Sequence, residues 1–355
     1  MTMARYAYFL PIAAVLGAVL GRALHVPLDD LGAGVATLLL LGAAFSAVQH
    51  AERISARLGQ PYGTLVLTFS VTLIEVSVLM SLMLNSTGNP TLAREAVLST
   101  VMFVLTGVVG LCLLMGALRH YEQEIRQQGV SGYLSVIIAI SVLALVLPEV
   151  TRGGLVGAPL KIDVFVIMVA VVLLYGSFLF MQTVRYKAHY LEGGESLHAP
   201  PSRRATLISI VFLLISLAGV VLLSDRVAAG VEHLVSLGHL ADPDAVIGAV
   251  VVAMLLLPET LTALRAARRN QLQQALNTAL GSGLATIGLT MPVMVAIGYL
   301  IGQEVQLSLD PEDRIQLLLA LVLSVVSFGT GKTNALTGLV HLVLFLVYVM
   351  TLFSP

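Results

Sequence analysis

Apolar runs of membrane-spanning length recur down this chain, and that repetition constrains the fold more than any single residue does. A helix needs about 20 mainly apolar residues to cross a bilayer. On that rule eleven spans are expected, at about 4–24, 31–49, 62–84, 95–118, 132–149, 163–183, 205–224, 243–264, 272–301, 314–329 and 335–353. Only 11% of the 355 residues are charged and mean hydropathy is +0.95, against roughly 25% charged in a soluble domain. The first run lacks a small-residue cleavage site and is long enough to span, so it reads as a retained helix. The expected fold class is all-α integral membrane.

Polar or Gly/Pro-rich stretches separate the runs, at 84–90, 151–159 and 240–244 for example. The longest connection is RYKAHYLEGGESLHAPPSRR at 185–204, which marks a hinge between two halves. Cationic residues then set the orientation. With the N-terminus cytoplasmic, inside segments hold Arg5, Arg53, Arg57, Arg119, Arg126, Arg185, Lys187, Arg203, Arg204, Arg265, Arg268, Arg269 and Lys332. Outside segments hold only Arg22, Arg94, Arg152, Lys161, Arg226 and Arg314. That bias obeys the positive-inside rule and puts the C-terminus outside.

Setting the first helix (1–24) aside leaves five spans before the connecting loop (31–183), the loop itself (184–204), and five spans after it (205–353). Five is odd, so the halves run in opposite directions through the bilayer. This is the pattern of an inverted repeat, whose substrate site lies near the midplane.

Two carboxylates interrupt the apolar pattern. Glu75 lies inside LVLTFSVTLIEVSVLMSLML and Glu259 inside AVIGAVVVAMLLLPETLTAL, in the second span of each half. An ionisable group at bilayer depth is costly and marks an ion or proton path. Thr68, Thr72 and Glu75 share one helical face, although Thr hydroxyls also bond back to their own helix. Pro258, just before Glu259, removes an N–H and frees a carbonyl near Met254. Such an oxygen suits a hard cation; an ordinary kink is the competing reading. In the following span Asn277 and Ser282 are the better site candidates beside Gly281, Thr286 and Thr290, since small residues there also serve close helix approach. Ser99, Thr100, Thr106 and Gly107 hold the matching positions of the first half.

Other residues read as structural. Glu149 with Arg152 suits a surface ion pair, Glu95 suits a helix N-terminus, and His341 suits a core histidine. His189, His198, Glu192 and Glu195 read as a solvated linker. SFGTGKTN at 327–334 has Val326 where a phosphate loop needs its first Gly, so nucleotide binding is excluded. The single Cys112 permits no intrachain disulfide and no thiolate metal site, and reads as core. No long basic run suggests a nucleic acid partner. With no Trp in the chain, an interfacial aromatic belt falls to Tyr62, Tyr133, Tyr175, Tyr299 and Tyr348.

Four segments resemble the cation/proton exchanger branch of the calcium/cation antiporter superfamily, especially the bacterial ChaA-type Ca2+/H+ antiporters. They are TLIEVSVL (72–79), VGLCLLMGALR (109–119), LLLPETLTALRAARRNQLQQALNTALGSGLATIGLTMPV (255–293) and SFGTGKTNALTGLVHLVLFLVYVMTLF (327–353). The resemblance implies eleven helices in two inverted repeats, with Glu75 and Glu259 as the acidic residues that bind cation or proton and Ser282 as the serine of the second repeat. This chain departs from the common Gly-Asn-Ala-x-Glu pattern, reading VTLIE and LLLPE. Thr260 replaces a common His, and Ala285 a common Gln.

The expected activity is secondary antiport: Ca2+, with Na+ or K+ as alternatives, leaves in exchange for H+. A buried carboxylate is neutralised by either a proton or a cation, and two glutamates facing each other match one divalent ion or two protons. Thr72, Ser282 and the carbonyl near Met254 would complete the coordination. The partners are inorganic cations, protons and the bilayer, and a homo-oligomer is compatible with all of this. No cofactor and no enzyme activity are expected. A monovalent Na+(K+)/H+ antiporter is the first alternative and a cation channel a more remote one.

Overall fold

The computed structural model describes residues 5–24, 30–59, 62–85, 90–148, 160–186, 190, 201–236, 242–303 and 305–353. Glu149, Arg152, Lys187, His189, Glu192, Glu195 and His198 lie outside the described residues. The chain is almost wholly helical: α1 Tyr6–Ala23, α2 Asp30–Leu58, α3 Tyr62–Asn85, α4 Leu92–His120, α5 Gln127–Val146, α6 Leu160–Phe180, α7 Arg203–Ser236, α8 Pro243–Leu255, α9 Leu257–Arg268, α10 Leu272–Ile301, α11 Pro311–Phe328 and α12 Ala335–Leu352. Among the described residues nine helices are long and apolar enough to cross a membrane, or ten with α8 and α9 as one bent span. The protein is an integral membrane protein. The remaining helix, α11, carries Glu312 and Asp313 in its first turn behind Pro311.

Several boundaries differ from the expected ones for one reason: hydropathy marks the apolar segment, whereas the backbone ladder continues into polar sequence. α2 runs to Leu58 rather than 49, and α7 to Ser236 rather than 224. Arg226, expected in a loop, sits inside α7 and bonds the Gly21 carbonyl at 2.7 Å.

The described chain forms two compact units that cut across the two sequence halves, one drawn from residues 1–89 and 196–243, the other from 90–195 and 244–355. In the first, α1, α2, α3 and α7 pack together. Small residues let the backbones approach: Ala36, Ala43, Ala47 and Ala51 line α2, and a Cβ on Gly219 would meet that of Ala14 at 3.0 Å. Pro11 cannot donate to the Ala7 carbonyl, which two α2 side chains satisfy instead, Ser46 Oγ at 2.6 Å and His50 Nε2 at 3.0 Å. In an apolar medium a freed carbonyl needs such replacement donors.

The second unit holds α4–α6 and α8–α12. Its helices contain four π turns, at Phe103–Val108 in α4, Val142–Val146 in α5, Met181–Arg185 after α6 and Thr286–Thr290 in α10. Lys332–Thr333 pairs antiparallel with Gln123–Glu124, a two-residue ribbon that the hydropathy pattern could not indicate. Of the five tyrosines expected in an interfacial belt, only Tyr62 and Tyr299 are exposed. Tyr133, Tyr175 and Tyr348 are buried in this unit's core because their polar ends or rings find partners there: Gln182 donates to the Tyr133 hydroxyl, Ser99 bonds that of Tyr348 at 2.7 Å, and Tyr175 lies over Gly288. Cys112 is buried as a free thiol.

Candidate functional site

Glu75 lies midway along α3, a helix of Leu, Val, Thr and Ser with no other charge. Its side chain is buried, with only 6% of the residue exposed. Thr72, one turn earlier on the same face, is also buried, and Thr68 is half-buried. Ser70, Ser77 and Ser81 bond back to carbonyls four residues earlier, at 2.7, 2.6 and 3.0 Å. The Thr72 hydroxyl is fully enclosed and has no hydrogen-bond partner among the described residues. A buried polar atom left in that state costs free energy, so it is a position where a ligand oxygen-binder would be welcome.

In the other unit the expected span at 243–264 is not one helix. It breaks at Leu256 and bends by 54° between α8 and α9. Pro258 occupies the first turn of α9, where a missing N–H is harmless, while the α-helical donor that Met254's carbonyl would otherwise meet is absent. Glu259 is therefore not in mid-helix. It lies buried in the first turn of α9, at the positive end of that helix's dipole. Broken helices of this kind are the usual means of presenting backbone ends to ions in membrane carriers.

α9 packs against α10. There the Ser282 hydroxyl is enclosed and has no hydrogen-bond partner among the described residues, the same condition as Thr72. The Ser282 carbonyl accepts from Thr286 at 3.2 Å, at the start of the π turn. Asn277 is differently engaged: its carbonyl accepts from Gln273 at 2.9 Å, and its amide donates to the Tyr190 carbonyl. The amide end links α10 to the connecting segment, and the carbonyl end is held within α10. Tyr190 is half-buried there, and burial raises the pKa of its phenol.

In α4, Thr100 and Thr106 bond back to Ala96 and Met102. Hydropathy reading missed a buried charge cluster at the start of this helix. Arg94 bonds Glu95 at 2.7 Å, Asp310 at 3.1 Å and the Ser308 carbonyl, and Asp313 lies close to the two carboxylates. Glu95 does sit in a first turn, yet it is almost fully buried against Arg94. Adjacent opposite charges opening an otherwise apolar run were the available signal. His341 is buried with both ring nitrogens engaged, Nδ1 to the Leu105 carbonyl at 2.7 Å and Nε2 to Ser327 Oγ at 2.9 Å.

Carboxylates enclosed by apolar membrane helices are the groups an ion or proton path requires. Comparison with known proteins makes the class specific. The profile of the family described as sodium/calcium exchanger protein matches residues 31–184 and 208–354, and the chain belongs to that family. The protein y4hA of Sinorhizobium fredii is 40% identical over 317 residues, 88% of this chain and 86% of that one. The sodium-potassium/proton antiporter ChaA of Escherichia coli is 35% identical over 327 residues, 90% of this chain and 88% of its own. Among solved structures, a crystal structure of the Ca2+/H+ antiporter protein YfkE superposes with a TM-score of 0.73 at 20% identity, covering 99% of each chain.

Proposed function

We propose that this protein is a secondary antiporter that moves a cation across the membrane in exchange for protons, with Glu75 and Glu259 as the groups that carry cation and proton in turn. The observation that carries the reading is that each unit holds a buried carboxylate and a buried hydroxyl that lacks a partner among the described residues: Glu75 and Thr72 on α3, Glu259 on α9 and Ser282 on the helix packed against it. Deprotonated carboxylates attract a cation, protonated ones do not, and both ligands compete for the same oxygens. Competition of this kind couples the two fluxes. The Met254 carbonyl, lacking its α-helical donor, and Thr68 supply further oxygens; Asn277 braces α10 from the connecting segment.

The structural likeness to a Ca2+/H+ antiporter agrees with Ca2+ as cargo. A second reading, Na+ or K+ against H+, draws on the 35% identity to a sodium-potassium/proton antiporter and on the few side-chain oxygens beside the glutamates. The family-wide layout favours eleven spans, α8 and α9 counted as one, in two inverted sets of five after α1, with the N-terminus cytoplasmic and the protein in a bacterial inner membrane.

The test is pH-dye dequenching in inside-acid proteoliposomes on adding Ca2+, Na+ or K+ separately. Dequenching by Ca2+ supports the first reading, and dequenching by Na+ or K+ alone the second. No response to any of them overturns the antiporter assignment.

A further inference from the structure

The Leu105 carbonyl facing His341 has only lone pairs to offer, so Nδ1 carries a proton there, while Nε2 shares a hydrogen bond with the Ser327 hydroxyl. Both ring nitrogens are therefore engaged and the ring is held in one orientation. Leu105 belongs to the π turn Phe103–Val108 of α4. A π turn widens the helix and opens its ladder to outside donors, and such turns recur at functional sites.

Close backbone approach makes the contact. A Cβ on Gly338 would lie 2.6 Å from the Leu114 amide nitrogen, and one on Gly110 would lie 3.0 Å from the His341 Cβ. From the same π turn the Val104 side chain packs on α10, where a Cβ on Gly283 would meet it at 3.2 Å. Gly283 is the residue after Ser282, whose enclosed hydroxyl has no partner among the described residues. His341, the π turn, Val104 and Ser282 thus form one contiguous path within a single compact unit.

From this geometry we infer that His341 is a positioning residue for cation binding at Ser282, acting through the π turn of α4 and Val104; the inference rests on the antiporter reading above. Its Nδ1–H holds the Leu105 carbonyl, which fixes the turn and sets how closely Val104 presses α10.

The test compares three substitutions in proteoliposomes, reading half-saturating cation concentration separately from maximal rate. His341→Asn keeps an N–H near the Nδ1 position, His341→Gln places one further out, and His341→Leu has none. Leu and Gln should raise the half-saturating concentration about threefold to tenfold, and Asn should restore it to within about twofold, with the pH profile of exchange unmoved in Asn. Wild-type behaviour of His341→Leu, failure of Asn to restore, or a shifted pH profile in Asn each overturns the inference. Should the histidine variants fail to fold, Val104→Ala perturbs the same path without removing a polar group; it should raise the half-saturating concentration too, and an unchanged value overturns the proposal. Absence of exchange by the unmodified protein would sink the antiporter reading itself, a result distinct from any of these.

Discussion

Arg94 donates from Nε to Oε1 of Glu95 at 2.7 Å, and the two residues are 5% and 1% exposed. Neighbours in sequence, they form a buried pair that also reaches the Ser308 carbonyl and Asp310, tying the segment before α11 to the start of α4. Removing Arg94 takes from the buried Glu95 its neighbouring cation, which costs about 3–5 kcal/mol, whereas removing Glu95 leaves Arg94 paired with Asp310. Arg94→Met should therefore lower the thermal midpoint of the detergent-solubilised protein markedly, and Glu95→Gln should lower it less. An Arg94→Met/Glu95→Leu double variant should recover much of the loss, because no buried charge remains unpaired.

Glu75→Gln and Glu259→Gln keep the shape of each side chain and remove its charge. Both should abolish cation-driven proton movement while leaving protein yield and folding intact. In the unmodified protein, the half-saturating cation concentration should rise as pH falls, because protons occupy the carboxylates that the cation needs. Retained exchange in both glutamine variants would remove these residues from the transport site.

Thr72→Val and Ser282→Ala separate binding from stability. Each deletes a buried hydroxyl with no partner among the described residues, so thermal stability should hold or rise, whereas deleting a satisfied buried hydroxyl costs about 1 kcal/mol. Cation affinity should fall by about tenfold if that oxygen ligates the ion, the equivalent of about 1.4 kcal/mol. Titrating transport rate against cation concentration reads the second effect and thermal unfolding the first.

Pro258→Ala restores the N–H that the Met254 carbonyl lacks. The 54° bend between α8 and α9 should relax and exchange should slow by about tenfold or more, while thermal stability changes little because Pro258 occupies a first-turn position that tolerates proline. Unchanged exchange would mean that the break is not needed for transport.

Gly338→Ala would place a methyl 2.6 Å from the Leu114 amide nitrogen. Backbone cannot move aside cheaply, so α12 must shift, at a cost of about 1–3 kcal/mol. A lowered thermal midpoint is the expected result. Gly34, which has nothing within 4 Å of a Cβ, is the matched control, and its Ala variant should leave stability unchanged.

Particular residues show why some of this was legible in the chain. Glu75 and Glu259 stand out because a carboxylate in an apolar run of spanning length is rare on energetic grounds. Pro258 announces a disturbance through its missing N–H, yet a local pattern could not say that the helix would stop at Leu256 and restart, placing Glu259 in a first turn. Tyr133, Tyr175 and Tyr348 have the composition of interfacial residues, but Gln182, Gly288 and Ser99 draw them into the core. Asn277 looks like a free polar group in sequence and is instead held by Gln273 and Tyr190.

The sequence by itself determined the solvent of this protein, its helical class, the approximate spans and the two costly carboxylates, because those follow from hydropathy summed over local windows. Tertiary structure alone decided which hydroxyls go without a partner among the described residues, that Arg94 and Glu95 are buried against the 308–310 segment, and that His341 meets a π turn in α4. These depend on pairs far apart in the chain, 236 residues for His341 and Leu105, and on backbone approaches of a few ångströms. No local propensity encodes them.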